Sequence, residues 1–268
     1  MRITFIGGGT MAEAILNGVL EKKLATSADI AVVEPIKARR TYLAQQYGIV
    51  TTDDAKMATA ARDIVVLAVK PQDLSTAMAS FKGILTTNQA VLSIAAGVKI
   101  NAIRMGLSHG AVIRAMPNTP AQIGAAASVW TATPEVSAER LADARNLLQA
   151  IGEEVQVASE EYVDMATGLS GSGPAYVFMF IESLTDAGVH VGLPRDMAAK
   201  LAVQTVLGSA QLVQQSGRHP AELRNMVTSP GGTTAEGTLV LEGSGFRASV
   251  IEAVEAAYEK ALLLGEEE

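Results

Sequence analysis

Cysteine is absent from the 268 residues, which excludes disulfides, thiolate nucleophiles and cysteine-ligated metal centres. Aromatic residues supply only 4% of the chain, with a single tryptophan, so the core must be built from Ala, Val, Leu, Ile and Met. Basic charge is in deficit. The 21 Lys and Arg face 28 Asp and Glu, and a net charge of −7 has the wrong sign for a nucleic-acid surface. Long apolar runs are missing as well: the stretches at 64–69 and 90–98 fall well short of the roughly 20 residues a membrane-spanning helix needs. The N-terminal apolar run stops at Gly7, where a glycine loop replaces the cleavage region of a secretory leader. A soluble, cytoplasmic protein is expected. Histidine is scarce, and His109, His190 and His219 have no carboxylate neighbours in sequence. No cluster has metal-ligand spacing, so no metal is expected. Ser170 and Ser172 lack the G-x-S-x-G setting of a hydrolase nucleophile.

What is present is an alternation. Short apolar runs at 1–6, 30–33, 64–69, 90–94 and 111–116 read as strands, several of them continuous Val/Ile/Leu stretches suited to burial on both faces. Residues 10–21 carry apolar positions at helical spacing, and residues 37–47 read as a helix closed by Gly48. This β-α-β-α order predicts a parallel sheet with helices on both faces. The pattern changes near residue 158. Beyond it the residues 173–191, 194–215, 234–242 and 246–264 all read as helices. The helix at 194–215 is apolar nearly all round, which demands burial on most of its sides and points to a second subunit. The acidic end, Glu266 to Glu268, reads as solvated.

Gly7-Gly8-Gly9-Thr10-Met11-Ala12 fits G-x-G-x-x-G/A between the first strand and the first helix. Gly7 would make the tight turn, Gly9 would admit a pyrophosphate to the backbone, and Ala12 would let helix and strand pack closely. The helix N-terminus then offers free N–H groups to phosphate. Glu34, at the end of the second strand, could accept a hydrogen bond from an adenosine ribose 2′-hydroxyl, whereas Lys37, Arg39 and Arg40 could hold a 2′-phosphate. The choice between NADH and NADPH stays open on these residues. Loops at 68–72, 95–97 and 116–120 follow later strands, where ligands of doubly wound sheets sit. In the second half, Ser170-Gly171-Ser172-Gly173-Pro174 opens a long helix. Ser229-Pro230-Gly231-Gly232-Thr233-Thr234 is another glycine turn before a helix, a natural nest for a carboxylate.

Taken in order, IGGGTMAEAI at 6–15, AVKPQ at 68–72, MPNTP at 116–120, SGSGPAY at 170–176 and SPGGTTAEG from Ser229 resemble the pyrroline-5-carboxylate reductases over nearly the whole chain. The resemblance implies an α/β N-terminal Rossmann-like doubly wound sheet, residues 1–158, plus an all-α C-terminal dimerisation and substrate domain, residues 159–268. It implies NADPH, with NADH possible, reducing 1-pyrroline-5-carboxylate to L-proline, the last step of proline biosynthesis. Homodimers at least are implied too, with rings of dimers as the larger assembly. Gly7, Gly8, Gly9, Thr10, Met11, Ala68, Val69, Lys70, Pro71, Ala95, Ala96 and Gly97 would then touch the dinucleotide; Glu34, a ribose contact by its own position, stands where some members carry a small polar residue. Gly231, Gly232, Thr233 and Thr234 would surround the substrate, with Thr234 as the catalytic hydrogen-bonding residue. Met226 stands where some members carry an asparagine.

The chemistry agrees. The similarly built β-hydroxyacid dehydrogenases place a lysine in the helix after their glycine motif, and residues 173–190 contain none. A cyclic imine is basic enough to be protonated already, so orientation can replace a dedicated general acid. A reductase of another imine or of a 3-hydroxy acid, and a non-catalytic nucleotide sensor, are the other readings of the same scaffold.

Overall fold

The computed structural model describes residues 1–266, with the side chain of Glu266 left out; the rest of the acidic end lies outside the described residues. The chain divides into two compact units, Met1–Ser172 together with the chain from Ala256 onward, and Gly173–Glu255.

The first unit is organised by an eight-stranded sheet. In chain order its strands are β1 (Ile3–Ile6), β2 (Ile30–Val33), β3 (Val50–Thr52), β4 (Ile64–Leu67), β5 (Ala90–Ser93), β6 (Val112–Met116), β7 (Ala126–Ala132) and β8 (Gly152–Gln156). In space they run β3-β2-β1-β4-β5-β6-β7-β8. Strands β1, β2, β4 and β5 are buried along their whole length, which is why their sequences are continuous apolar runs rather than alternating ones. Side chains still divide by parity. Ile3 and Phe5 join the core under α1 (Thr10–Glu21) and α6 (Ala138–Gln149), with Ile15, Leu16 and Leu147. Ile6, Val65 and Leu67 join the core under α4 (Pro71–Ala79) and α5 (Ile100–Leu107), with Leu74, Met78 and Ile103.

The expected parallel sheet holds from β3 to β6, but β6 and β7 are antiparallel and β8 follows β7 in parallel. The reason is the short link between β6 and β7, a 3-10 turn over Thr119–Ile123. It is too short for a crossover helix, and parallel neighbours need one. Strands expected to run to residues 69 and 94 end at Leu67 and Ser93, freeing Ala68, Val69 and Ile94 for the loops that follow.

Before the helical unit begins, the first unit ends its longer segment with α7 (Glu160–Ala166), which continues as a π-turn over Thr167–Gly171. The remaining helices of the sheet unit are α2 (Lys37–Tyr47), ended by Gly48 in the left-handed region, and α3 (Ala55–Thr59).

The second unit is helical: α8 (Gly173–His190), α9 (Arg195–Ser216), α10 (Pro220–Met226), α11 (Thr233–Gly243) and the first part of α12 (Phe246–Glu266). Helices α8 and α9 pack closely, and a Cβ placed on Gly188 would lie 2.9 Å from that of Ala198. The Phe180 and Phe246 rings sit 6.1 Å apart. In α9 only Ala198 and Ala202 are buried, whereas Leu201, Val203, Leu207 and Leu212 are exposed. The all-round burial that its sequence demands is not met within one chain.

Candidate cofactor and substrate loops

The glycine loop is tight behind and open in front. Gly7 has φ +97°, and a Cβ there would lie 2.8 Å from the Ala68 carbonyl oxygen. A Cβ on Gly8 would strike Leu43 Cδ1 at 2.8 Å. Gly9 differs: nothing lies within 4 Å of its Cβ position, and it caps α1 without any side-chain cap bond. The unsatisfied N–H groups of α1 thus face open space at a glycine, which fits a pyrophosphate. Ala12 is buried against the sheet, as close helix–strand packing requires.

Glu34 bonds this loop from behind. It is buried, its Oε2 accepts from the Gly8 N–H at 3.0 Å, and its Oε1 accepts from the Ile36 N–H at 2.9 Å. The Gly8 carbonyl in turn accepts from Arg39 Nε at 2.6 Å, so both halves of that residue's backbone are held by charged groups. Arg39 also pairs with Glu13, while Arg40 donates to the carbonyls of Glu34 and Pro35 and pairs with Asp53. Of the three cations flagged above, only Lys37 has an ammonium without a hydrogen bond or ion pair among the described residues. Glu13 is a hub. Burial opposes its ionisation, but hydrogen bonds from Arg39, Tyr47 and Tyr42 outweigh that and hold the carboxyl below its ordinary value. Burial, then the bond to Glu13, pushes the Tyr47 phenol up to about 12.

Sheet register brings the remaining loops to the same edge. Ile6 pairs with Leu67 and Leu67 with Ser93, so the loops after β1, β4 and β5 leave the sheet side by side, at the switch point where such folds bind ligands. Ala68, Val69 and Lys70 precede α4, with Pro71 at its first turn. Ala95 is buried, and Gly97 has φ +80° with its Cβ position 2.9 Å from Leu264 Cβ, a contact with the last turns of α12. Gly7 to Met11, Glu34, Ala68 to Pro71 and Ala95 to Gly97 therefore all belong to one edge of the first unit.

The substrate candidates belong to the second unit. Gly231 has φ +66°, and the Gly232 N–H donates back to the Ser229 carbonyl at 3.0 Å. Gly232 caps α11 with no side-chain cap bond, leaving the N–H groups at Thr233 and Thr234 available at a helix start. A Cβ on Gly232 would fall 2.3 Å from Ser229 Oγ, so a side chain there would force the Ser229 hydroxyl to turn away.

Sequence reasoning missed Arg114, Asp164, Glu160 and Lys99. Arg114 Nη2 donates to Asp164 Oδ1 at 2.6 Å, and Nη1 to Glu160 Oε1 at 3.2 Å. Lys99 donates to the other Asp164 oxygen, and the Ile100 N–H donates to Glu160 Oε1 at 2.7 Å. The signal was available: one arginine in a buried apolar strand must find a carboxylate. Asn118, in the proline-flanked loop, likewise ties elements together, donating to the Ser170 carbonyl and accepting from the Ala127 N–H, each at 2.9 Å. Two of the three histidines bond to backbone: His109 Nε2 lies 2.9 Å from the Gln89 carbonyl, and His219 Nδ1 accepts from the Ala221 N–H at the start of α10.

A doubly wound sheet with a glycine loop at its switch point, joined to a helical unit, defines a two-part dinucleotide-dependent oxidoreductase. Residues 160–264 match the family model described as pyrroline-5-carboxylate reductase dimerisation, and residues 2–97 match NADP oxidoreductase coenzyme F420-dependent. The pyrroline-5-carboxylate reductase of Synechocystis is 46% identical over 99% of this chain and 98% of its own. That of Escherichia coli is 42% identical over 97% and 96%. Among solved structures, a pyrroline-5-carboxylate reductase from Coxiella burnetii superposes with TM-score 0.92 at 36% identity, covering 98% of each chain. The Plasmodium falciparum enzyme, with NADP bound, gives 0.89 at 30% identity, covering 99% of this chain and 98% of its own. The chain belongs to the pyrroline-5-carboxylate reductase family.

Proposed function

We propose that this chain reduces 1-pyrroline-5-carboxylate to L-proline with NADPH, NADH being the alternative donor. The observation that carries the reading is the uncapped start of α11 behind Gly231 and Gly232, a carboxylate nest with two threonines at its mouth. Its N–H groups would take the ring carboxylate, and the Thr234 hydroxyl would sit at the ring nitrogen. The open front of Gly9 and the free N-terminus of α1 fit a pyrophosphate, with Thr10 and Met11 beside it.

A reduced nicotinamide held by the loops at 7–11, 68–71 and 95–97 would supply the hydride for the imine carbon. The C=N electron pair is then left on nitrogen, which already carries its proton in the iminium form. Helix α8 runs from Gly173 to His190 without a lysine, so it offers no ammonium as acid. Thr234 has only to hold the N–H, and the nest only to fix the ring's orientation. The Glu34 carboxylate, behind Gly8, can still accept a ribose hydroxyl and opposes a 2′-phosphate, whereas Lys37 favours one. We assign residues 1–158 as the cofactor domain and 159–268 as the dimerisation and substrate domain, although by compactness α7 and the chain from Ala256 onward group with the sheet unit. The exposed Leu201, Val203, Leu207 and Leu212 support a homodimer in which α9 is covered. Assembly of dimers into a ring and a cytoplasmic location belong to the same reading; among the described residues no helix is long and apolar enough to cross a membrane.

An assay that follows oxidation of NADPH and of NADH with 1-pyrroline-5-carboxylate tests it. Turnover with proline as product is expected. Nucleotide binding without turnover on any cyclic imine would overturn it.

A further inference from the structure

The charge cluster around Asp164 does more than neutralise a buried arginine. Asp164 is 0% exposed and Arg114 1%, and the two already pair at 2.6 Å. Lys99 adds a second cation to the same carboxylate, with a side chain still 32% exposed. A lysine so placed is a poor investment for stability, since Asp164 has its buried partner without it. Its position is informative instead. Lys99 is the cap residue of α5 and stands two residues beyond Gly97.

The segment between is gripped from two directions. On one side, the Lys99 ammonium is anchored to Asp164 on α7, while Glu160 of the same helix takes the Ile100 N–H. On the other, the last turn of α12 lies directly on the segment. A Cβ on Gly265 would lie 2.8 Å from the Gly97 carbonyl oxygen and 3.0 Å from Lys99 Cε. Gly97 itself has φ +80°, one of several conformations open to a glycine, so flanking contacts decide which one is populated. Residues 95–97 form the loop at the end of β5, on the sheet edge that carries the glycine loop.

We propose that Lys99 is a positioning residue for the dinucleotide. Through Asp164 it holds the 95–97 backbone in the cofactor-receiving conformation, so that the loop is ordered before the nucleotide arrives and binding does not bear that ordering. The ammonium touches neither nucleotide nor substrate. This inference rests on the cofactor reading above.

The test compares wild type, Lys99→Met and Lys99→Arg by nucleotide fluorescence titration, thermal unfolding and steady-state kinetics with each substrate varied in turn. Lys99→Met keeps the stem against Gly265 and removes only the charge. Its Kd for NADPH should rise about tenfold, with KM for NADPH following and KM for 1-pyrroline-5-carboxylate staying within about twofold. Lys99→Arg should restore most of the affinity. If Lys99→Met does not fold, Lys99→Gln carries the same measurement. An unchanged NADPH Kd in the neutral variant, or equal losses for both substrates that track a lowered Tm, would overturn the proposal alone. Wild type that binds neither NADPH nor NADH would overturn the cofactor reading and this inference with it.

Discussion

The Glu34 carboxylate accepts the Gly8 amide proton at 3.0 Å, while Arg39 donates to the Gly8 carbonyl at 2.6 Å. The acidic residue that sequence suggests for ribose recognition is therefore also part of the loop's internal framework. Glu34→Gln keeps one acceptor for Gly8 and removes the charge. Affinity for NADPH relative to NADH should rise about three- to tenfold, because only the phosphorylated ribose felt the carboxylate's repulsion. Glu34→Ala should weaken both nucleotides and lower stability by about 1–3 kcal/mol, the scale of an orphaned buried donor. Paired binding titrations and urea unfolding check both.

Gly7 and Gly9 separate folding from binding. Gly7→Ala forces a Cβ toward the Ala68 carbonyl at a positive φ and should destabilise the first unit by about 1–3 kcal/mol. Gly9→Ala has free space for its methyl, so Tm should stay near wild type while NADPH affinity falls about tenfold or more as the methyl occupies the pyrophosphate's approach. Thermal unfolding and nucleotide titration on the two variants should give opposite rankings.

Thr234→Ala should lower kcat with 1-pyrroline-5-carboxylate by about a hundredfold, the scale of one well-placed hydrogen bond to a reacting group. The Kd for NADPH should move little, and Thr234→Ser should recover much of the rate. Full activity in the alanine variant would remove Thr234 from the chemistry.

His109 supplies a pH signature. Burial pushes its imidazole below the ordinary value, against a smaller opposing effect from the Gln89 carbonyl. The fold thus prefers the neutral ring, and its contribution is fully present above the unfolded value of about 6.5. As pH falls below that, the unfolded chain takes up a proton that the folded chain resists, and stability declines. Urea unfolding between about pH 7 and pH 5 should show this slope in wild type, and His109→Gln should flatten it.

Legibility in the sequence followed burial. Residues 30–33 and 64–67 are fully buried, so their apolar runs announced them as strands. Gly7 and Gly231 announced turns because only glycine sits easily at their φ. Strands β3 and β8, at the two edges, read Val-Thr-Thr and Gly-Glu-Glu-Val-Gln, and neither carries an apolar run. Their identity comes from the neighbour they pair with, which lies outside the local pattern. The Arg114–Asp164 pair spans fifty positions in the chain, a distance at which no spacing rule operates. The candidate loops were visible because backbone geometry demanded unusual residues. Their supports were not, because ordinary Lys, Asp and Glu serve there.

The last turns of α12 belong with the first unit, although all of Gly173–Glu255 intervenes. The helical unit is therefore an insertion within the nucleotide half, which is assembled from the chain on both sides of it. During synthesis the sheet can form early, but the cover over Gly97 exists only once Leu264 and Gly265 have left the ribosome. A nascent chain, or one clipped after Glu255, would hold all eight strands with an unguarded 95–99 loop. Maturation of the nucleotide half then waits on residues translated after the whole helical unit.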